Sequence, residues 1–210
     1  MAHSFPLLFP TTPAPKSSSF GLKRAVAVAE SPFTGAQQTH EYDFALWTAQ
    51  ITLPPMKRED AGNFQAFFSK LRGRRGTFLM GDPDGKTAMG SINTTTTATL
   101  YASAAIGAHE LTITTSLTTN ETTAFKAGDY IQLGTENDSR LYLVCENTYT
   151  GSQGRVTIHV EPFLKNAHAQ GETVTFTNPV GVWRLDDNNL QWDANHVSTY
   201  GFSFSCTEAK

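Results

Sequence analysis

Cysteine is nearly missing from this chain: its 210 residues hold only Cys145 and Cys206. Each lies in a strand-like apolar context, so both are read as buried, reduced thiols of a protein folded in a reducing compartment. The length suits one large domain or two small ones, each able to bury a core without disulfides or metals. Charge is sparse as well. Lys, Arg, Asp and Glu make up 17% of the chain, against roughly 25% in most soluble domains. The 16 basic and 19 acidic residues leave a formal charge of -3, and no basic run exceeds two residues, as in Arg74-Arg75. Non-specific binding to nucleic acid or to an anionic membrane needs a concentrated basic surface, so both are disfavoured. The longest apolar run, residues 25–29, is far short of a membrane span. No signal peptide is expected, because the proline-punctuated start lacks both a charged beginning and an apolar stretch.

Catalytic signatures are absent too. There is no Gly-x-Ser-x-Gly, no P-loop and no dinucleotide fingerprint. The six histidines, His3, His40, His109, His159, His168 and His196, form no tight pair at ligand spacing, which argues against a metal. Asp186, Asp187 and Asp193 could in principle supply an acid and a base for sugar hydrolysis. They sit among Asn188, Asn189 and Asn195, and solvated carboxylates of a polar hairpin are the preferred reading. No enzyme activity and no cofactor are expected.

What is present is organised around residues 45–80. Ala45, Trp47, Ala49, Ile51 and Leu53 alternate with polar residues, the two-residue period of a strand with one buried face. Pro54-Pro55 stops it. From Lys57 the period changes, and Ala61, Phe64, Phe67, Phe68 and Leu71 fall on one stripe of a helix. Glu59 and Asp60 in the first turn and Lys70 and Arg72 in the last complement the helix dipole, with Gly73 placed to end the helix in a left-handed conformation. Arg74-Arg75-Gly76 turns the chain into a short strand, Thr77-Phe78-Leu79-Met80, closed by the turn Gly81-Asp82-Pro83-Asp84-Gly85.

Residues 1–21 carry four of the ten prolines and read as an arm with little structure of its own. Strands are expected at 25–29 and 37–44, forming with the next strand a small antiparallel sheet that faces the phenylalanine stripe. After Gly90 the chain changes to a polar, threonine-rich tract at 91–97. Five short strands follow, marked by Leu111 and Ile113, by Tyr130, Ile131 and Leu133, by residues 141–145, by Val156, Ile158 and Val160, and by Val174 and Phe176. Such a run suggests a small barrel of the oligonucleotide/oligosaccharide-binding type. Two more strands, 181–185 and 197–206, place Tyr200, Phe202, Phe204 and Cys206 on one face. The expected fold is mainly β: a split β-sandwich domain with one α-helix, residues 1–91 and 178–210, interrupted by an inserted OB-like barrel at 92–177.

This layout resembles the siphophage-type distal tail protein, the family forming a ring at the tip of long-tailed bacteriophage tails. The resemblance is carried by Ser31-Pro32-Phe33-Thr34-Gly35-Ala36-Gln37-Gln38, by Leu53-Pro54-Pro55-Met56, by Leu71-Arg72-Gly73-Arg74-Arg75-Gly76-Thr77-Phe78 and by Ala127-Gly128-Asp129-Tyr130-Ile131-Gln132-Leu133-Gly134. Within the insert, Glu161-Pro162-Phe163-Leu164 and Gly171-Glu172-Thr173-Val174 are similar to the barrel found in some Gram-negative phage relatives. The resemblance implies a virion protein of the tail tip, folded in the host cytoplasm before assembly. Its partners would be itself, in a hexameric ring, the tail tube protein and the tail tip or hub protein, with DNA only as passing cargo. The alternative is a glycan-binding module of a phage receptor-binding apparatus, using the barrel.

Candidate contact residues follow from the same pattern. Trp47, Phe64, Phe67, Phe68 and Leu71 are the expected core that holds the assembly domain together. Arg72, Arg74 and Arg75 either touch a partner subunit or DNA in a channel, or simply solvate the helix end. Trp47 and Trp183 alternate with apolar residues as core positions do, which leaves Trp192 as the exposed aromatic contact.

Overall fold

The alternating pattern at 45–53 turns out to be one end of a much longer strand. The computed structural model of the chain describes residues 4–117, 122–189, 191–194 and 199–209, with backbone alone at 193 and 194. The first half contains β1 (Leu7–Leu8), β2 (Ser17–Glu30), β3 (Gln37–Thr52), α1 (Arg58–Leu71) and β4 (Phe78–Met80). Next come β5 (Ala98–Leu100), β6 (Glu110–Thr115), β7 (Thr123–Phe125), β8 (Tyr130–Leu133), β9 (Arg140–Val144), β10 (Thr148–Tyr149) and β11 (Arg155–Glu161). The chain ends in β12 (Gly181–Leu185), β13 (Trp192–Ala194) and β14 (Tyr200–Glu208). The fold is mainly β with one helix, a sandwich-like half and a barrel-like part.

One sheet has the order β1-β4-β12-β14-β3-β2, with β13 also paired to β14. Its two faces follow directly from the period of two. The register sets Phe204 beside Ile51, Cys206 beside Ala49 and Leu185, and Phe78 beside Trp183, while Ser203, Ser205 and Thr207 stand beside Thr52, Gln50 and Thr48 on the opposite face. Only the first face needs a cover, and α1 supplies it with buried Ala61, Phe64, Phe67, Phe68 and Leu71. Phe67 lies 5.6 Å from Phe78, and Phe68 lies 5.1 Å from Phe204, both edge-on. Such pairs add about 0.5–1.5 kcal/mol each beyond the area they bury. Trp183 is wholly buried yet satisfied, its indole N–H donating to the Met80 carbonyl at 2.7 Å.

The N-terminal arm departs from expectation, because it is built into this core. Phe9 sits among Phe64, Phe67, Phe78 and Phe204, with ring centroids 5.6–6.0 Å away. Leu7 and Phe9 donate to the carbonyls of Thr77 and Leu79, and β1 runs parallel to β4 at the sheet edge. Pro6 and Pro10 flank this bonded stretch. Since alternate residues donate to the partner, their missing N–H groups fall on the unpaired side and forfeit no ladder bond. Prolines therefore masked a strand in which Phe5, Leu7 and Phe9 share one face.

Strands expected at 25–29 and 37–44 are likewise parts of longer ones. β2 and β3 pair from Ser17 opposite Thr52 out to Glu30 opposite Gln37, with a register shift between Arg24 and Val26. Only the inner part of this hairpin faces the phenylalanine stripe, through Phe20 and Leu22 and through the buried residues of β3 from Ala45 onward. The outer part projects with Val26, Val28, Phe33 and Tyr42 exposed. The end of α1 also differs by one residue: Arg72 is the C-cap at φ 55°, and Gly73 follows at φ 65°. Two consecutive left-handed residues make the sharp exit, the second being the glycine that tolerates it freely.

A second sheet, of order β5-β6-β11-β9-β8, curls as a half-barrel around Ile113, Phe125, Ile131, Tyr142, Val144 and Ile158. The expected strand at Val174 and Phe176 is an irregular segment, although both side chains are buried. Glu172 accepts from Leu100, Val174 donates to Ala98, and Thr175 exchanges both backbone bonds with Gln132. This segment thus reaches both edge strands, β5 and β8, and closes the curl. β7 and β10, which pair with each other, were too short to leave a periodic signal.

The chain leaves the first sheet after β4 and returns as β12, its antiparallel neighbour. The crossing is tight. A Cβ on Gly81 would lie 2.0 Å from the Pro179 carbonyl oxygen and one on Gly90 1.9 Å from that of Ala124, so only glycine fits at either point. Of the strand expected at 197–206, residues 197 and 198 lie outside the described residues, as does His3 of the arm.

Replacing Phe67, whose ring joins helix, arm and sheet, by alanine should destabilise the fold by roughly 3–5 kcal/mol. A thermal melt of Phe67→Ala with an unchanged midpoint would show that the stripe is not what holds the helix.

Candidate functional site

No group of three or more His, Cys, Asp or Glu side chains able to hold a metal occurs among the described residues. No helix among them is long and apolar enough to cross a membrane. The surface features that can meet other molecules include a basic corner, an exposed tryptophan and the projecting hairpin, while the two sheets meet in a buried seam.

The basic corner lies where α1 ends. Arg72, Arg74 and Arg75 are exposed on the turn that leads to β4. The turn is braced from the far end of the chain, because the Arg74 backbone N–H donates to Asn188 Oδ1 at 3.0 Å. Gly73 lies against the same Asn188, where a Cβ would come within 2.8 Å of that oxygen. Asn188 belongs to the polar segment between β12 and β13, which is a connection and not the expected hairpin, since both strands pair with β14 and not with each other. Its Asp186 accepts from the Thr207 hydroxyl at 2.6 Å, and Asp187 accepts from the Asn189 N–H at 2.9 Å. Both carboxylates thus serve turn and strand ends, while the side chain of Asp193 is outside the described residues. Trp192 is 44% exposed and leans on Phe202 with ring centroids 6.2 Å apart. Its ring is therefore supported by Phe202 and partly exposed.

Trp47, Phe64, Phe67, Phe68 and Leu71 are all buried. None reaches a partner directly. Trp47 instead ties the two sheets together, since its indole N–H donates to the Leu141 carbonyl in β9 at 2.8 Å. Leu141 belongs to the same buried cluster as Trp47, with Tyr130 and Leu143 packed against it. Beside them Glu208 is buried at the end of β14, accepts the backbone N–H of Trp47 and forms an ion pair with Lys165. A buried carboxylate is costly unless a cation and donors compensate it, and here both come from elements distant in sequence. Sequence reasoning missed this seam, because no local pattern marks a lysine as the partner of a glutamate across two sheets.

The cysteines separate in a way the sequence reading did not anticipate. Cys206 is buried, and burial pushes its thiol well above the usual range. Cys145 is exposed instead of buried. It follows Val144 at the end of β9, on the side of Leu141 and Leu143 but beyond the rim of the cluster that covers them. Partial burial and the nearby Glu161 carboxylate raise its thiol pKa as well. On the barrel surface His159 stands between two carboxylates, Nδ1 2.6 Å from Glu146 and Nε2 3.0 Å from Glu110. The bond to Glu146 is the main cause of its raised pKa, outweighing the opposing effect of desolvation.

No family model matches the chain, and no curated protein matches it either.

Two titrations check these surfaces. In native protein a thiol reagent should modify Cys145 alone, with Cys206 reacting only after denaturation; two reactive thiols in the native state would contradict the buried position of Cys206. An NMR titration should place the His159 midpoint above its ordinary 6.5, and Glu146→Gln should lower it. Because the folded pKa is raised, the stabilisation from the charged imidazole is present below the unfolded pKa and fades as pH rises through the folded one. An unmoved midpoint in Glu146→Gln would exclude that pair as the cause.

Proposed function

We propose that this is a structural protein of a bacteriophage virion. It forms a ring, hexameric by its resemblance to siphophage distal tail proteins, at the distal end of the tail. The ring joins the tail tube protein to the tip or hub protein and leaves a channel through which DNA passes as cargo. One observation carries the reading: a sheet built from both ends of the chain and capped by a single phenylalanine-rich helix, with a curled five-stranded sheet formed by the chain between them. That order is the layout on which the resemblance to the family rests.

On this reading the surfaces are the parts that act. The arginine corner, whose backbone is braced by Asn188 and whose side chains form no ion pair among the described residues, is suited to an anionic surface on a neighbouring subunit or on passing DNA. The rigid seam at Trp47, Leu141 and Glu208 lets the barrel-like part keep a fixed place beside the ring-forming sheet.

Light scattering across a dilution series is the test. A ring former should reach a limiting mass several times that of the subunit, consistent with closed cyclic symmetry, and negative-stain images should show annular particles. A concentration-independent monomer that binds host polysaccharide would replace this reading by the glycan-binding one.

A further inference from the structure

The outer part of the β2–β3 hairpin makes no core of its own, yet its tip is ordered. Ser31 and Ala36 close the turn through a backbone bond of 2.9 Å, Gly35 bonds back to Ser31 at 2.9 Å, and Gly35 takes the left-handed conformation at φ 66°. Pro32 fixes the backbone on the approach. At the apex of this turn stands Phe33, 95% exposed. From Arg24 and Ala45, the last pair held against the rest of the chain, the six strand steps to Glu30 extend the tip by roughly 20 Å. A bulky apolar ring held away from its own core has nothing among the described residues to cover it.

The opposite edge of the same sheet carries a matching recess. A cavity of about 170 Å³ lies against β1 and β4, lined by Leu8, Leu79, Pro83, Pro179 and Val180 among others. Apolar cavities of roughly 150 Å³ accept a benzene ring. Leu8 at its mouth is 77% exposed. The recess is lined by both Asp82 and Lys86, and because Asp82 already accepts the Asp84 N–H at 3.0 Å, the charges left to meet are Glu30, which precedes the turn that carries Phe33, and Lys86. Neither forms an ion pair among the described residues.

Six strands in the order β1-β4-β12-β14-β3-β2 separate the two features, a width of roughly 24 Å. A knob on one edge and its recess on the other cannot satisfy each other within one copy. They define a head-to-tail contact, which closes into a ring when the rotation per subunit allows it. We propose that the recess at β1 and β4 receives Phe33 from the hairpin of a second copy of this chain, with Glu30 of the incoming hairpin beside Lys86. The inference rests on the ring reading above and names its contact. Pre-ordering of the turn keeps the entropy cost of docking small, and each added subunit repeats the same contact.

The test uses the full chain and two substitutions at exposed positions, Phe33→Asp and Leu8→Glu, so that folding is preserved and circular dichroism melts should match the parent. By light scattering the parent should form a multimer larger than a dimer, and each variant alone should be a monomer at the same concentration. Mixed in equal amounts the two should stop at a dimer, because Leu8→Glu keeps its knob and Phe33→Asp keeps its recess. A charge exchange adds the registration: Glu30→Lys should shift the midpoint of assembly to about tenfold higher concentration, and the added Lys86→Glu should restore it. A multimer unchanged by Phe33→Asp or Leu8→Glu would overturn the contact while leaving the ring reading intact, and a mixture that stays monomeric would overturn its head-to-tail sense. A parent that is monomeric at every concentration would overturn both readings.

Discussion

The cluster of phenylalanine rings between α1 and the first sheet is the constraint on which the rest depends. Phe64, Phe67 and Phe68 from the helix, Phe78 from β4, Phe202 and Phe204 from β14 and Phe9 from the arm share one contact layer. These residues come from the beginning, middle and end of the chain. Burying so many rings in one place fixes which face of each strand turns inward, and hence the register of the whole sheet. It also forces both termini of the chain onto the same sheet, so that β4 and β12 become neighbours and the intervening chain must leave and return at one point.

The tight crossing at Gly81 and Pro179 follows from that topology, and so does the seam. Because the half-barrel begins and ends beside the first sheet, Leu141 can join the first cluster, and Lys165 can meet Glu208. These contacts make the two parts lean on each other more than a simple insertion would require. A buried glutamate with one cationic partner is strongly destabilised if that partner is lost, so the seam favours one arrangement of the two sheets over sliding alternatives.

The surfaces divide along the same lines. Where the sheet is covered by the helix, side chains serve stability. At its two edges the chain exposes what the core does not use: an ordered aromatic tip on β2–β3 and an apolar recess beside β1 and β4. Edge strands are places where a protein invites or prevents association. Here one edge is extended into an arm instead of being blunted.

Much of the sandwich-like half was legible in the sequence, since alternation in β3 and β14 and the helical spacing of Ala61, Phe64, Phe67, Phe68 and Leu71 depend only on neighbours along the chain. The basic corner and the exposure of Trp192 could be read the same way, from turn residues and from the polar company around them. Five features could not: the docking of Phe9, the length of the hairpin, the closure of the half-barrel by the segment around Thr175, the seam between Glu208 and Lys165, and the outward position of Cys145. In each the deciding partner lies far away in sequence, Phe9 against Phe204 and Thr175 against Gln132 being examples. Prolines hid the first, the unbroken polar run Ser17-Ser18-Ser19 hid the second, and the rim of a cluster assembled from distant strands set the last. Sequence by itself determined which side chains must be buried and with what period; the tertiary structure alone decided which of them bury each other, because that depends on how distant segments compete for one apolar face.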